Sequence, residues 1–207
     1  MVLLIAAALI ATPALPTPGG ADAAAVRDVF KAYQTALLRK DGPAAARLLA
    51  RPTVAHFQRM RDLALTGKAG EIKSLALGDK FTIVRLRVEF PAAQLKRMDG
   101  MAVLADSVSR GWVGEGIDRI GIGPVAIAGD HASIVELTDG KVTSERFSLQ
   151  RENGVWRLDL VPLMTGANAA FKKLAAESGM SEDSFVFAIV EKMVGRPVPV
   201  TIWNPPR

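Results

Sequence analysis

Two dipeptides, Asp139-Gly140 and Asn153-Gly154, constrain this 207-residue chain more tightly than anything else in it. A two-residue hairpin loop needs positive φ at its central positions, which Asp, Asn and Gly tolerate and most residues resist. Each dipeptide is flanked by runs with strand character, so each reads as a hairpin turn. Ile120 to Ala128, His131 to Leu137, Lys141 to Gln150 and Val155 to Val161 then make a four-stranded antiparallel meander.

Turn geometry also sets the register. Across Asn153-Gly154, Glu152 pairs with Val155, Leu149 with Leu158 and Phe147 with Leu160, and Arg151 and Trp156 continue that buried row. The other face carries Ser148 opposite Asp159, Gln150 opposite Arg157 and Arg146 opposite Val161. Across Asp139-Gly140, Leu137 pairs with Val142, Val135 with Ser144, Ser133 with Arg146 and His131 with Ser148. One row therefore reads His131, Ser148, Asp159. A nucleophile relay needs the histidine between the other two. Here serine is in the middle, so the row reads as a polar sheet face.

The front half has helical texture. Val26, Val29, Phe30, Tyr33 and Leu37 recur at three- and four-residue steps over residues 24–40. Asp41-Gly42-Pro43 ends that helix and starts a short one, and Pro52 opens a third carrying Val54, Phe57, Met60 and Ala64. Residues 79–90 carry two signals. Leu86, Val88 and Phe90 alternate with charged residues as in a strand, while Asp79 suits a helix start, and the balance leans to helix. A further helix follows Pro91. After the meander, Gly166 to Ser178 reads as helix, and Ser181 caps another that Gly195 ends. The tail 196–207 has four prolines and reads as extended, with Trp203 placed to dock on the body.

The N-terminus differs from the rest. Val2 to Ala11 is an apolar run too short to span about 30 Å of hydrocarbon. With the Pro/Gly stretch after it and Ala21-Asp22-Ala23 as a small-x-small cleavage site, it reads as an export signal, although no Lys or Arg precedes it. This gives three segments: a signal at 1–23, one α+β domain at 24–195 and the tail. The expected location is periplasmic or secreted, with no transmembrane segment in the mature chain.

Composition narrows the chemistry. Cysteine is absent and there are two histidines, which leaves no disulfide framework, no thiolate site and too few nitrogen ligands for a usual zinc site. No cofactor or metal is expected. Residues 39–97 hold 13 Lys/Arg against 5 Asp/Glu, either solvated helix faces or a surface for an anionic partner such as lipid head groups or an acidic protein. Without basic residues interleaved with aromatics, nucleic acid is not a partner. Gly114-Glu115-Gly116 and Gly121-Ile122-Gly123 extend into no phosphate-binding loop. The second doublet reads as a bulge at the start of the sheet.

Three side chains stand out as ligand-site candidates. Tyr33 is the only tyrosine, either a core aromatic or a pocket phenol. His56 lies off-centre on the third helix, either packed or a general base. Asp159 alternates with Leu158 and Leu160 and faces away from their core, as an arginine's partner or a pocket acid.

The helix Val29-Phe30-Lys31-Ala32-Tyr33-Gln34-Thr35-Ala36-Leu37, the Asp41-Gly42 break and the final strand Gly154-Val155-Trp156-Arg157-Leu158-Asp159-Leu160 together resemble the ketosteroid-isomerase-like, nuclear-transport-factor-type (SnoaL-like) cone-fold superfamily over roughly residues 24–163. The resemblance implies a pocket enclosed by helices and a curved sheet. Some members are isomerases, dehydratases or hydrolases and others only bind or dimerise, so function does not follow from fold. Only Tyr33 and Asp159 carry over as pocket residues. The leading reading is an exported, non-enzymatic domain for a small apolar or amphipathic ligand or a protein partner, with a homodimer allowed. The alternatives are a proton-transfer enzyme using Asp159 or His56 with Tyr33, and attachment to an anionic envelope surface through residues 39–97.

Overall fold

The computed structural model describes residues 18–206. The apolar run at 2–11 lies outside them. Seven helices come first: α1 (Pro18–Leu38), α2 (Gly42–Arg47), α3 (Arg51–Thr66), α4 (Ala69–Lys73), α5 (Leu77–Glu89), α6 (Ala92–Leu95) and α7 (Gly100–Ser109). The antiparallel sheet follows in sequential order: β1 (Ile120–Ala128), β2 (His131–Thr138), β3 (Lys141–Glu152) and β4 (Val155–Asp159). Helices α8 (Val161–Glu177) and α9 (Glu182–Val194) complete an α+β architecture.

Both hairpin turns form as their residues require, with φ of 50° and 75° at Asp139 and Gly140 and 51° and 79° at Asn153 and Gly154. The β3–β4 register matches the turn-based reading from Glu152–Val155 to Ser148–Asp159. It stops there. Phe147 does not pair with Leu160, nor Arg146 with Val161, because the chain turns into α8, with proline in its first turn. Asp159 Oδ1 accepts the Val161 N–H at 3.0 Å, which fixes that turn.

The β2–β3 register departs from expectation beyond Leu137–Val142. Val135 pairs with Arg146, Ser133 with Ser148 and His131 with Gln150. Between Leu137 and Val135 β2 advances two residues and β3 four, so β3 carries a two-residue bulge. Thr143 Oγ1 accepts from Glu145 N at 3.1 Å, drawing that backbone group out of the ladder. An even shift keeps every side chain on its face, so only the row partners change. The expected His131–Ser148–Asp159 row is replaced by Ser133, Ser148 and Asp159. A second irregularity lies between Ile122 and Val125, at the bulge expected from the Gly121-Ile122-Gly123 doublet, and Pro124 there has no N–H to donate.

Two apolar cores result. In the first, Val26, Phe30, Tyr33 and Leu37 of α1 and residues of α2 and α7 pack on Ile134, Phe147, Leu149, Trp156 and Leu158 of the sheet. The second is helical: Met60, Ile72, Leu77, Ile83, Leu86, Leu95, Val186 and Val190, closed by Trp203. Helix α5 runs through it against α3, α8 and α9. That position explains its mixed sequence signal, because a helix enclosed by others is apolar on more than one side. Trp203 docks edge-on against Phe187, ring centroids 5.4 Å apart, so the tail is not simply extended; it makes a single 3-10 turn at Val200–Trp203.

The halves are tied at β4. Ala50 N donates to Leu158 O and Leu158 N to Leu48 O, both at 2.8 Å, so the α2–α3 link covers the outer edge of the last strand. Helix α1 begins earlier than the residue 24 expected from periodicity. Asp22 accepts from Arg151 and, at 3.3 Å, from Trp156 Nε1.

Candidate functional site

The strongest site grows from three helices that enclose one cleft. Helix α8 presents Val161, Met164, Thr165, Asn168 and Phe171 along one face, at three- and four-residue steps. The first turns of α5 supply Gly78, Asp79, Phe81 and Thr82, and α3 supplies His56. The cleft measures about 330 Å³, at the lower end of small-molecule sites.

His56 and Asp79 meet on its wall, His56 Nε2 standing 3.4 Å from Asp79 Oδ1. The Phe57 ring packs edge-on to the imidazole at 5.6 Å. Burial lowers the imidazole pKa below its ordinary 6.5; Asp79 opposes this and Arg59 adds to it. The ring is therefore neutral at physiological pH. Asp79 sits in the first turn of α5, where the helix dipole favours a carboxylate. Neutral His56 has one donor and one acceptor nitrogen, so beside Asp79 it can offer a ligand either role.

The other polar groups are held by their own helices. Thr82 Oγ1 donates to Gly78 O and Thr165 Oγ1 to Val161 O, both at 2.9 Å, so each hydroxyl keeps only acceptor capacity. Asn168 Oδ1 accepts the Leu77 N–H at 2.9 Å, satisfying one free donor at the N-terminus of α5. The remaining walls, Phe81, Met164 and Phe171 among them, are apolar.

The three sequence candidates do not converge. His56 lines the cleft. Tyr33 is 4% exposed in the first core, where burial pushes its phenol pKa up, and it is not among the cleft walls. Asp159 is buried at the foot of α8 with its carboxylate engaged. Oδ1 accepts from Thr53 Oγ1 at 3.1 Å and from Val161 N, and Oδ2 accepts from Gln150 Nε2 at 3.0 Å. Its partners are thus a threonine, an amide and the backbone, in place of the expected arginine. Because Asp159 alternates with Leu158, its carboxylate leaves the sheet on the side away from Tyr33's core.

Sequence reasoning missed Asp79 as His56's partner and all of α8's contribution. The available signal was Pro162, whose preference for a first helical turn starts α8 before Gly166 and puts Met164, Thr165 and Asn168 on one face. No family model, no curated protein and no solved structure matches the chain.

Proposed function

We propose that this chain is an exported, non-enzymatic ligand-binding domain of the cone-fold type, and that the α3–α5–α8 cleft takes a small amphipathic molecule. The observation that carries this reading is the pairing of His56 with Asp79 on the wall of a cleft otherwise lined largely by apolar side chains. Such a site takes an apolar body against Phe81, Met164 and Phe171 and orients a polar end at the imidazole–carboxylate pair. Export is supported by the apolar run 2–11 and the small residues at 21–23. A mature N-terminus at Ala24 in envelope material supports that part, and intact Met1 contradicts it.

The cleft is tested with 1-octanol as probe, by calorimetry and by the Met164 methyl resonance. Saturable binding that shifts Met164 and is lost in F171D is expected. Binding unaffected by F171D, or none at all, rejects the cleft.

One observation favours a second reading, proton transfer. A neutral imidazole beside a carboxylate, on the wall of a cleft, suits a general base. On this reading H56Q abolishes turnover of a bound ligand while leaving its affinity unchanged. Of the thirteen cations in 39–97, Lys80, Arg85 and Arg87 are buried and take no part in any contact with an anionic surface.

A further inference from the structure

Helix α5 carries two buried arginines, two residues apart, in opposite circumstances. Arg87 is satisfied: its guanidinium donates to the carbonyls of Leu63, Ala64, Gly67 and Ile202 at 2.6–2.9 Å. Arg85 is 9% exposed, and its Nε is buried with no hydrogen-bond partner. Nearby cations are paired, Arg110 with Asp106, Lys80 with Glu182 and Asp183, and Arg61 with Asp62. Among the described residues Arg85 stands in no ion pair. Glu89, one turn on, is its nearest electrostatic support, against a pKa lowered mainly by burial.

What surrounds Arg85 is aromatic. Its guanidinium carbon lies 4.0 Å from the centroid of the Trp112 ring and 6.0 Å from that of Phe81. Ring faces hold a cation in place without neutralising it. An arginine cannot relieve burial by losing its proton near neutral pH. The buried orphan is Nε, and an anion entering beside the guanidinium would supply the acceptor it lacks. Arg85 also lines a recess of about 100 Å³ with Phe57, Thr82, Val103, Ser107 and Trp112. Phe81 and Thr82 are walls of both this recess and the His56–Asp79 cleft.

Asp79, Thr82 and Arg85 follow at three-residue steps on α5, each step turning about 60° around the helix axis, and the shared walls Phe81 and Thr82 stand between the two sites. Six residues of helix separate Asp79 from Arg85, about 9 Å of rise. Building on the ligand-binding reading above, we infer that Arg85 is the anion subsite of the same cleft, and that the ligand is an apolar monocarboxylic acid. Its carboxylate pairs with Arg85 beside Trp112, and its chain runs along α5 past Phe81 toward His56. The opposite orientation would set a carboxylate against Asp79, which repels it.

The test is calorimetry with octanoate and 1-octanol, equal in chain length and different in charge, on wild type, R85M and R85K. The inference predicts that R85M binds octanoate at least tenfold more weakly and octanol as wild type does. R85K falls between, because an ammonium keeps the charge but loses the planar, bidentate fork. Thermal melts of both variants check that they fold, and R85K carries the test if R85M does not. Equal octanoate affinity in wild type and the folded variants overturns the inference while leaving the cleft reading intact. Octanol binding without octanoate binding also overturns it. If neither probe binds wild type, both fall.

Discussion

Thr53 and Asp159 bind the helical front of the chain to the end of its sheet through one hydroxyl. Thr53 Oγ1 donates to Asp159 Oδ1 at 3.1 Å and accepts from Leu160 N at 2.8 Å, with Thr53 wholly buried. The same carboxylate holds the first N–H of α8, the helix that forms one wall of the cleft. Replacing Thr53 by Val keeps the shape and strips both bonds, leaving two polar groups short of a partner. T53V is expected to lose about 1–3 kcal/mol in urea unfolding. A loss within error would show that the junction is not stabilising.

Arg87 makes a different junction, between the C-terminal end of α3 and the tail. Burial draws its pKa down to about 10, yet it remains charged and donates only to carbonyls. R87M leaves those acceptors, and the docked Ile202–Trp203 segment, without their donor. The expected cost is about 3 kcal/mol or more, with the tail cleaved sooner by protease. Unchanged proteolysis at residues 196–206 would separate Arg87 from tail docking.

Gly42 tests the packing of α2 on α7. A Cβ at that position would overlap the Ala105 carbonyl, which is backbone and cannot rotate away. G42A should therefore destabilise by more than the roughly 1–3 kcal/mol typical of overpacking, measured as a lowered unfolding midpoint. A neutral G42A would mean that α2 and α7 separate freely.

His56 predicts a direction for pH. Its folded pKa is depressed by burial, so the unfolded chain takes up a proton first as pH falls. Stability is full above the unfolded value of about 6.5 and is lost as pH falls toward the folded value. Between pH 7.5 and 5.5 the wild type should lose more stability than H56Q. Equal losses would contradict the burial of the imidazole.

Much of the fold was legible because local chemistry dictates it. Asp139-Gly140 and Asn153-Gly154 admit few alternatives, and Ser181 and Gly195 cap α9 as their types suggest, with Gly195 at φ 69°. The bulge in β3 was not legible, since nothing in Thr143–Glu145 announces a ladder shift before the sheet forms. His56 was recognisable as a candidate, but its partner was not. Asp79 lies 23 positions away on a helix whose enclosure blurs its periodicity. Met164 was lost with the first turn of α8, and Asn168, inside the expected helix, gave no sign of facing a cleft. Asp159 looked chemical because it faces away from the core, and only tertiary structure shows its carboxylate engaged by Thr53, Gln150 and Val161.

The most direct measurement is native mass spectrometry of the chain purified gently from its own host's envelope, alongside F171D prepared the same way. The account predicts one reproducible adduct of a few hundred daltons on the wild type, absent from F171D, whose new carboxylate stands on the cleft wall. A wild type that flies bare, or an adduct that F171D retains, would contradict a ligand held between α3, α5 and α8.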